Sequence, residues 1–318
     1  MAPPDLTALL RRERERLLAD RSGEVSEGTP LLAAAGPECF ALAAVTLDGE
    51  RHETEEADLE FSVQSVVKPW IYAVALLDHG DRVHEVVGVE PTGAPFDALV
   101  LEASTGRPPN PMVNAGALVA SSLVSGDDVE HRVRRVVEVC SAAADRDLEV
   151  DAETVEHELA HADRNRALAY LMRDTGSLTC DVEVAVEVLA RCCALRVTVR
   201  DLASMAATLA GWGRHPGTGA RVLPPAVVTD VLSVMATCGM YDGVGTWVHQ
   251  VGMPAKSGVS GALMAVAPGT LGLAGYSAPL DEHGNSVRGV AAFETVADEL
   301  RLHRFAPPDW ALDARGGA

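Results

Sequence analysis

The chain has 318 residues, 47% hydrophobic and 23% charged, the balance of a globular protein with material for a sizeable core, and its length suits one large domain or two intimate ones. Its formal net charge of −20 repels phosphate backbones and anionic lipid, which argues against nucleic acid and membrane as partners. Six cysteines (Cys39, Cys140, Cys180, Cys192, Cys193, Cys238) show no paired CxxC spacing and read as buried free thiols of a reducing compartment.

Residues 1–22 read as an amphipathic helix with Leu6, Leu9, Leu10, Leu17 and Leu18 on one side. No basic stretch followed by an apolar run precedes it, and a cytoplasmic protein is expected. Residues 24–37 are small and polar, a loop. The apolar run 39–47 reads as a strand, and Asp48-Gly49 signals a hairpin into a second strand near 51–54. From Ser65 to about Trp212 the pattern is helical, with segments at 66–77, 116–124, 129–143, 154–173, 180–194 and 199–209. Strand character returns at 264–267, 271–276 and 287–293, with Pro268-Gly269 and His283-Gly284-Asn285 as turns. A helix at 295–305 and a Pro/Gly-rich tail close the chain. Strands at both ends of a helical middle predict an α+β fold. Residues 1–64 and 213–318 would form one antiparallel sheet flanked by helices, residues 65–212 an inserted helical lobe, with the active site in the cleft between them.

The chain keeps only two lysines, Lys68 and Lys256, beside 24 arginines. An ammonium can be driven to neutrality by burial and a guanidinium cannot, so a lysine that acts as a base has no arginine substitute. Lys68 closes the run Ser65-Val66-Val67-Lys68, a spacing that puts hydroxyl and amine on one helix face. Pro69 is best tolerated in a first turn, which sets Ser65 at the head of a helix, where the dipole and free N–H groups favour an oxyanion. The second lysine lies in Lys256-Ser257-Gly258 just ahead of the C-terminal strands. SxxK followed far downstream by KSG on a sheet edge is the pairing of β-lactamases and penicillin-binding proteins. The glycine lets backbone approach a substrate, and Lys256 supplies positive charge beside the nucleophile.

With these motifs in place the sequence resembles the glutaminase family. Residues 61–68 (FSVQSVVK), 109–117 (PNPMVNAGA), 164–169 (RNRALA), 238–242 (CGMYD) and 256–259 (KSGV) match family segments in order, over about 33–302. The resemblance implies a serine β-lactamase-like and penicillin-binding-protein-like architecture, and hydrolysis of glutamine to glutamate and ammonia. It implies that Ser65 is acylated, that Lys68, desolvated, takes its proton, and that Tyr241 relays a proton to the leaving ammonia. The N–H groups of Ser65 and Val259 would form the oxyanion hole, and Asn114, Glu158 and Asn165 would hold the α-amino and α-carboxylate groups. Lys256, Ser257 and Gly258 would support the site. No metal or organic cofactor is implied, and a homo-oligomer, dimer or tetramer, is expected.

Two positions depart from the family pattern. Leu189 and Gly28-Thr29-Pro30 stand where glutaminases carry tyrosines at the substrate. Losing a hydrogen bond to a charged ligand group costs about 1.5–3 kcal/mol, enough to raise KM or change the preferred amide. Other readings are a β-lactamase- or peptidase-like hydrolase, which a β-lactam would acylate, and a non-catalytic amino-acid binder. His157-Glu158-Leu159-Ala160-His161 also spells HExxH, the helical zinc-protease pattern, with Glu183 or Glu187 as a third ligand.

Overall fold

The computed structural model describes residues 5–25, 36, 38–94 and 98–307. Helix α1 (Leu6–Leu17) starts on Asp5, whose carboxylate accepts from Ala8 N–H. Strand β1 (Glu24–Val25) follows, then β2 (Ala41–Thr46) and β3 (Arg51–Glu53) joined by the expected hairpin. After β4 (Phe61–Ser62), a 3₁₀ turn (Gln64–Val67) runs into α2 (Lys68–His79). The helical middle continues with α3 (Val83–Val86), α4 (Asn114–Leu123), α5 (Val129–Ala144), α6 (Ala152–Ala160), α7 (Asp163–Asp174) and α8 (Val182–Cys193). Strand β5 (Arg196–Val197) pairs with β4 and leads into α9 (Val199–Ala210). The remainder is α10 (Pro225–Cys238), α11 (Val244–Gln250), β6 (Ala255–Ser257), β7 (Ala262–Ala267), β8 (Leu271–Tyr276), β9 (Pro279–Leu280) and α12 (Val287–Glu299).

The main sheet is antiparallel in the order β3-β2-β8-β7-β6, so N- and C-terminal segments share one sheet as predicted. Strand alternation sorts its side chains. Ala41, Ala43, Val45, Met264, Val266, Ala274 and Tyr276 join the core beneath the helices, while Leu42, Ala44, Leu263, Ala265, Leu271 and Leu273 pack toward α1 and α12. Helix α9, although inside the 65–212 segment, lies across β2, β7 and β8, because its small residues Ala203, Ala206 and Ala207 let the helix settle onto the strands.

Two readings are corrected. Residues 287–293 are helix, not strand: Ser286 caps α12 by accepting from Gly289 N–H, and Arg288, Gly289, Ala292, Phe293, Val296 and Ala297 form one buried face with helical spacing. The helix expected at 154–173 is two, α6 and α7, broken near His161. No single helix among the described residues is long and apolar enough to cross a membrane.

Candidate active site

The nucleophile turn is built from both of its ends. Val63 N–H donates to Leu195 O at 2.9 Å, and Phe61 stacks on Tyr276 with ring centroids 4.1 Å apart, which ties the approach to β5 and the main sheet. Gln64 then takes φ of +48°, a left-handed backbone that tertiary structure must hold in place for a residue with a Cβ. Ser65 sits in the 3₁₀ turn rather than in the first turn of α2, and Lys68, whose N–H donates to Ser65 O, begins α2 with Pro69 in its opening turn. Residues i and i+3 eclipse in a 3₁₀ turn, so the pairing drawn for an α-helix survives in the tighter geometry. Both side chains are buried, Ser65 at 7% and Lys68 at 1% exposure.

Around this pair the other predicted residues gather. Lys68 Nζ donates to Asn114 Oδ1 at 2.6 Å, and Asn114 Nδ2 donates to Asn165 Oδ1 at 3.1 Å. Asn114 starts α4, and its approach is shaped by Asn110, whose Oδ1 accepts from Met112 and Val113 N–H. A Cβ on Gly116 would lie 1.9 Å from Asn110 O, so this loop–helix packing requires glycine. Glu158 accepts from Gln64 Nε2 at 3.0 Å.

The KSG segment arrives on β6, which among the described residues pairs with a strand on one side only. A Cβ on Gly258 would lie 3.2 Å from Val66 Cγ2 and 3.4 Å from Val63 O, so the end of this strand rests on the Ser65 turn and carries the half-buried Val259 with it. Lys256 is fully buried, with Nζ donating to Ser257 O at 2.6 Å and Gly239 O at 3.2 Å and lying 4.1 Å above the Tyr241 ring. Burial pushes this ammonium well below its ordinary range, and the nearby Lys68 charge pushes it further. Ser257 contributes its carbonyl, which also accepts from Tyr241 OH at 2.9 Å, while its hydroxyl is buried without a partner among the described residues. Tyr241 has φ of +55°. Burial drives its phenol well above the usual range, and a hydrogen bond with the Ser65 side chain partly opposes this.

Sequence reading missed Gln64, which orients Glu158, and Cys193. Helix α8 packs on the Ser65 turn, and burial raises the Cys193 thiol to about 12, with Glu158 raising it and Lys68 and Lys256 lowering it. Leu189, one turn earlier on α8, is 3% exposed. Residues 28–30, the other departure, lie outside the described residues. The HExxH pattern does not assemble a ligand pair on a helix face: α6 ends at Ala160, the His157 and His161 rings stack 4.3 Å apart, His161 Nδ1 bonds His157 O, and Glu158 is engaged by Gln64. Among the described residues no group of three or more His, Cys, Asp or Glu is placed to hold a metal ion.

Comparison with known proteins sets the chain among amidohydrolases that act on a side-chain carboxamide. The glutaminase family model matches residues 23–305, and the chain belongs to the glutaminase family, enzymes that hydrolyse glutamine to glutamate. A glutaminase of Clavibacter michiganensis subsp. michiganensis is 50% identical over 295 residues, 92% of this chain and 91% of that protein. One of Microcystis aeruginosa is 42% identical over 286 residues, 90% and 85% of the two chains. Among solved structures, Mglu in its glutamate form superposes with a TM-score of 0.91 at 42% identity, covering 95% of this chain and 70% of that one. The probable glutaminase ybaS gives 0.92 at 35% identity, covering 95% and 98%.

Proposed function

We propose that the chain hydrolyses L-glutamine through an acyl-enzyme on Ser65. As Ser65 Oγ attacks the amide carbon, Lys68, almost wholly removed from water, takes the hydroxyl proton. The carbonyl electron pair moves onto oxygen, which the N–H groups of Ser65 and Val259 receive. Tyr241 gives its proton to the nitrogen as the C–N bond breaks and ammonia leaves, and the Lys68 ammonium restores the phenol. Water then attacks the acyl carbon, Lys68 takes its proton and passes it to departing Ser65 Oγ, and glutamate is released. Asn114, Glu158 and Asn165 hold the α-amino and α-carboxylate groups, with Lys256, Ser257 and Gly258 supporting Tyr241 and the oxyanion strand.

The observation that carries this reading is the approach of Gly258 to Val66, which joins the KSG strand to the turn of Ser65 and Lys68. The hydrogen bond between Tyr241 and Ser65 supports the phenol's role. The same reading takes the architecture as β-lactamase-like, with a sheet lobe (1–64 and 213–318), a helical lobe (65–212) and the site in their cleft, and the enzyme as a cytoplasmic homo-oligomer. An ammonia-release screen over glutamine, asparagine and simple amides tests the chemistry. Ser65→Ala and Lys68→Ala are each expected to abolish turnover of glutamine without unfolding the protein, and full activity in both would overturn the mechanism.

A further inference from the structure

The segment that carries Tyr241 is gripped from two sides. On the inner side Tyr241 OH donates to Ser257 O and Lys256 Nζ lies over the ring. On the outer side the next residue, Asp242, places Oδ1 3.0 Å from His283 Nδ1. Tyr241 needs such support, because a left-handed φ is kept by a residue with a side chain only where its surroundings over-determine it.

His283 stands on a rigid base. In the turn between β9 and α12, Asp281 Oδ1 accepts from the N–H groups of both His283 and Asn285 at 2.9 Å. Asp281 N–H donates to Asn285 O at 2.8 Å, and Gly284 N–H to Asp281 O at 3.0 Å. The strand pairing of β9 with β1 fixes one end of this turn and the Ser286 cap of α12 the other. The turn of Tyr241 lies flat against it: a Cβ on Gly243 would come 3.3 Å from Asn285 Nδ2 and 3.5 Å from the His283 ring. Packing alone does not immobilise the junction, because a cavity of about 80 Å³ lies there, lined by Met240, Gly243, Trp247, His283 and Asn285 among others. Asn285 Oδ1, on a residue only 3% exposed, is buried without a partner among the described residues. The void gives the segment 240–247 room to shift once its link to the 281–285 turn is cut. His283 Nε2 faces Glu282 at 3.9 Å, but that carboxylate is 89% exposed and does not hold the ring.

We propose that His283, acting through Asp242, is a positioning residue that sets the reach of the Tyr241 hydroxyl toward Ser65. The inference rests on the proton-transfer role given to Tyr241 above. A half-exposed polar contact of this kind contributes little to stability, so it should register in the chemical step and not in the melting curve.

The test is steady-state ammonia release from glutamine by the full-length chain, with thermal unfolding alongside. His283→Ala should lower kcat about tenfold, less than the roughly hundredfold that a 1 Å misplacement can cost, with KM and the melting midpoint nearly unchanged. His283→Asn, whose Nδ2 takes the place of Nδ1, should recover most of the rate, and His283→Gln, whose amide reaches the Nε2 position, should not. Wild-type kcat in His283→Ala beside an impaired Tyr241→Phe overturns the positioning role and leaves that of Tyr241 standing. Wild-type kcat in Tyr241→Phe overturns the proton-transfer reading itself. A rate loss that His283→Asn fails to recover, or that comes with a matching loss of thermal stability, assigns His283 a merely structural part and also overturns the inference.

Discussion

Both lysines retained beside 24 arginines are buried side chains of the site, and neither place suits a guanidinium. Lys256 fills a closed space against two carbonyls and the Tyr241 ring, where a planar, permanently charged fork would lack both room and the option of losing its proton. Leu189 is the converse case, an apolar residue where a hydroxyl is expected to meet substrate. Leu189 lies buried on α8, the helix that packs against the Ser65 turn, and Leu189→Tyr should lower KM for glutamine by about tenfold or more, following the 1.5–3 kcal/mol of a hydrogen bond to a charged group. Overpacking should cost roughly 1–3 kcal/mol of stability. Steady-state kinetics and a melting curve on the variant check both, and an unchanged KM in a folded variant would remove Leu189 from the substrate wall. Ser65, Lys68, Asn114, Glu158, Asn165, Tyr241 and Lys256 could be named from sequence because their segments carry diagnostic spacing or family likeness. Gln64 and Asp242 lie in two of those segments and His283 in none, but their parts could not be read there, since a left-handed φ and a contact between two distant turns leave no periodic trace.

At the scale of elements, hydrophobic period gave the strands 41–46, 262–267 and 271–276 and most of the central helices to within two residues. It failed at 287–293, where a short apolar run fits strand and helix alike and only the Ser286 cap and the far face of α12 decide. Sequence pattern does not mark α10 and α11, which flank Tyr241 and precede KSG: the apolar residues of α10 lie nearly all round it and weaken the period, and α11 is a seven-residue helix too short to show one. A sharper constraint lies where α9 crosses β8. A Cβ on Gly272 would fall 2.1 Å from Ala207 N, 2.5 Å from Ala206 C and 2.6 Å from Ala203 O, all backbone atoms that cannot step aside. Gly272→Ala is therefore expected to cost at least the roughly 1–3 kcal/mol of ordinary overpacking and to lower the melting midpoint by about 2 °C or more. Gly245→Ala, on α11 with open space around the new methyl, should leave the midpoint unchanged or raise it, by up to about 1 kcal/mol of helix propensity. Circular dichroism melts of the pair separate close approach from a generic dislike of replacing glycine; equal midpoints would refute it.

Across the whole molecule, acid should weaken the fold in two stages set by groups that take no part in the proposed chemistry. His215, 1% exposed, joins α9, α5 and the 213–223 loop. Thr218 N–H donates to its Nδ1 at 3.0 Å, so that nitrogen carries no proton. Nε2 must then be the donor to Ser204 Oγ at 2.9 Å, and the Ser204 hydroxyl in turn donates to Ala143 O. A second proton on the ring would face the Thr218 N–H. Burial lowers the His215 pKa below its ordinary 6.5, with Asp145 partly opposing. Between 6.5 and that lower value the unfolded chain holds more protons than the folded one, so stability falls as pH drops through this window. Burial alone would raise the carboxyls of Asp78 and Asp151, but Arg135 and Ser125 N–H for the first, and the hydroxyl and N–H of Thr154 for the second, bring both below 3.8. Their contributions stay intact through the first stage and are lost only below about 4. The net charge of −20 shrinks over the same range and relieves self-repulsion, which blunts the first stage without shifting its onset. Urea titrations from pH 8 to pH 3 should show stability declining from about 6.5 and again below about 4. His215→Gln, which cannot titrate, should flatten the upper decline and leave the lower one in place, whereas a wild-type curve level between pH 7 and 5, or an upper slope the variant does not change, would exclude His215 as its source.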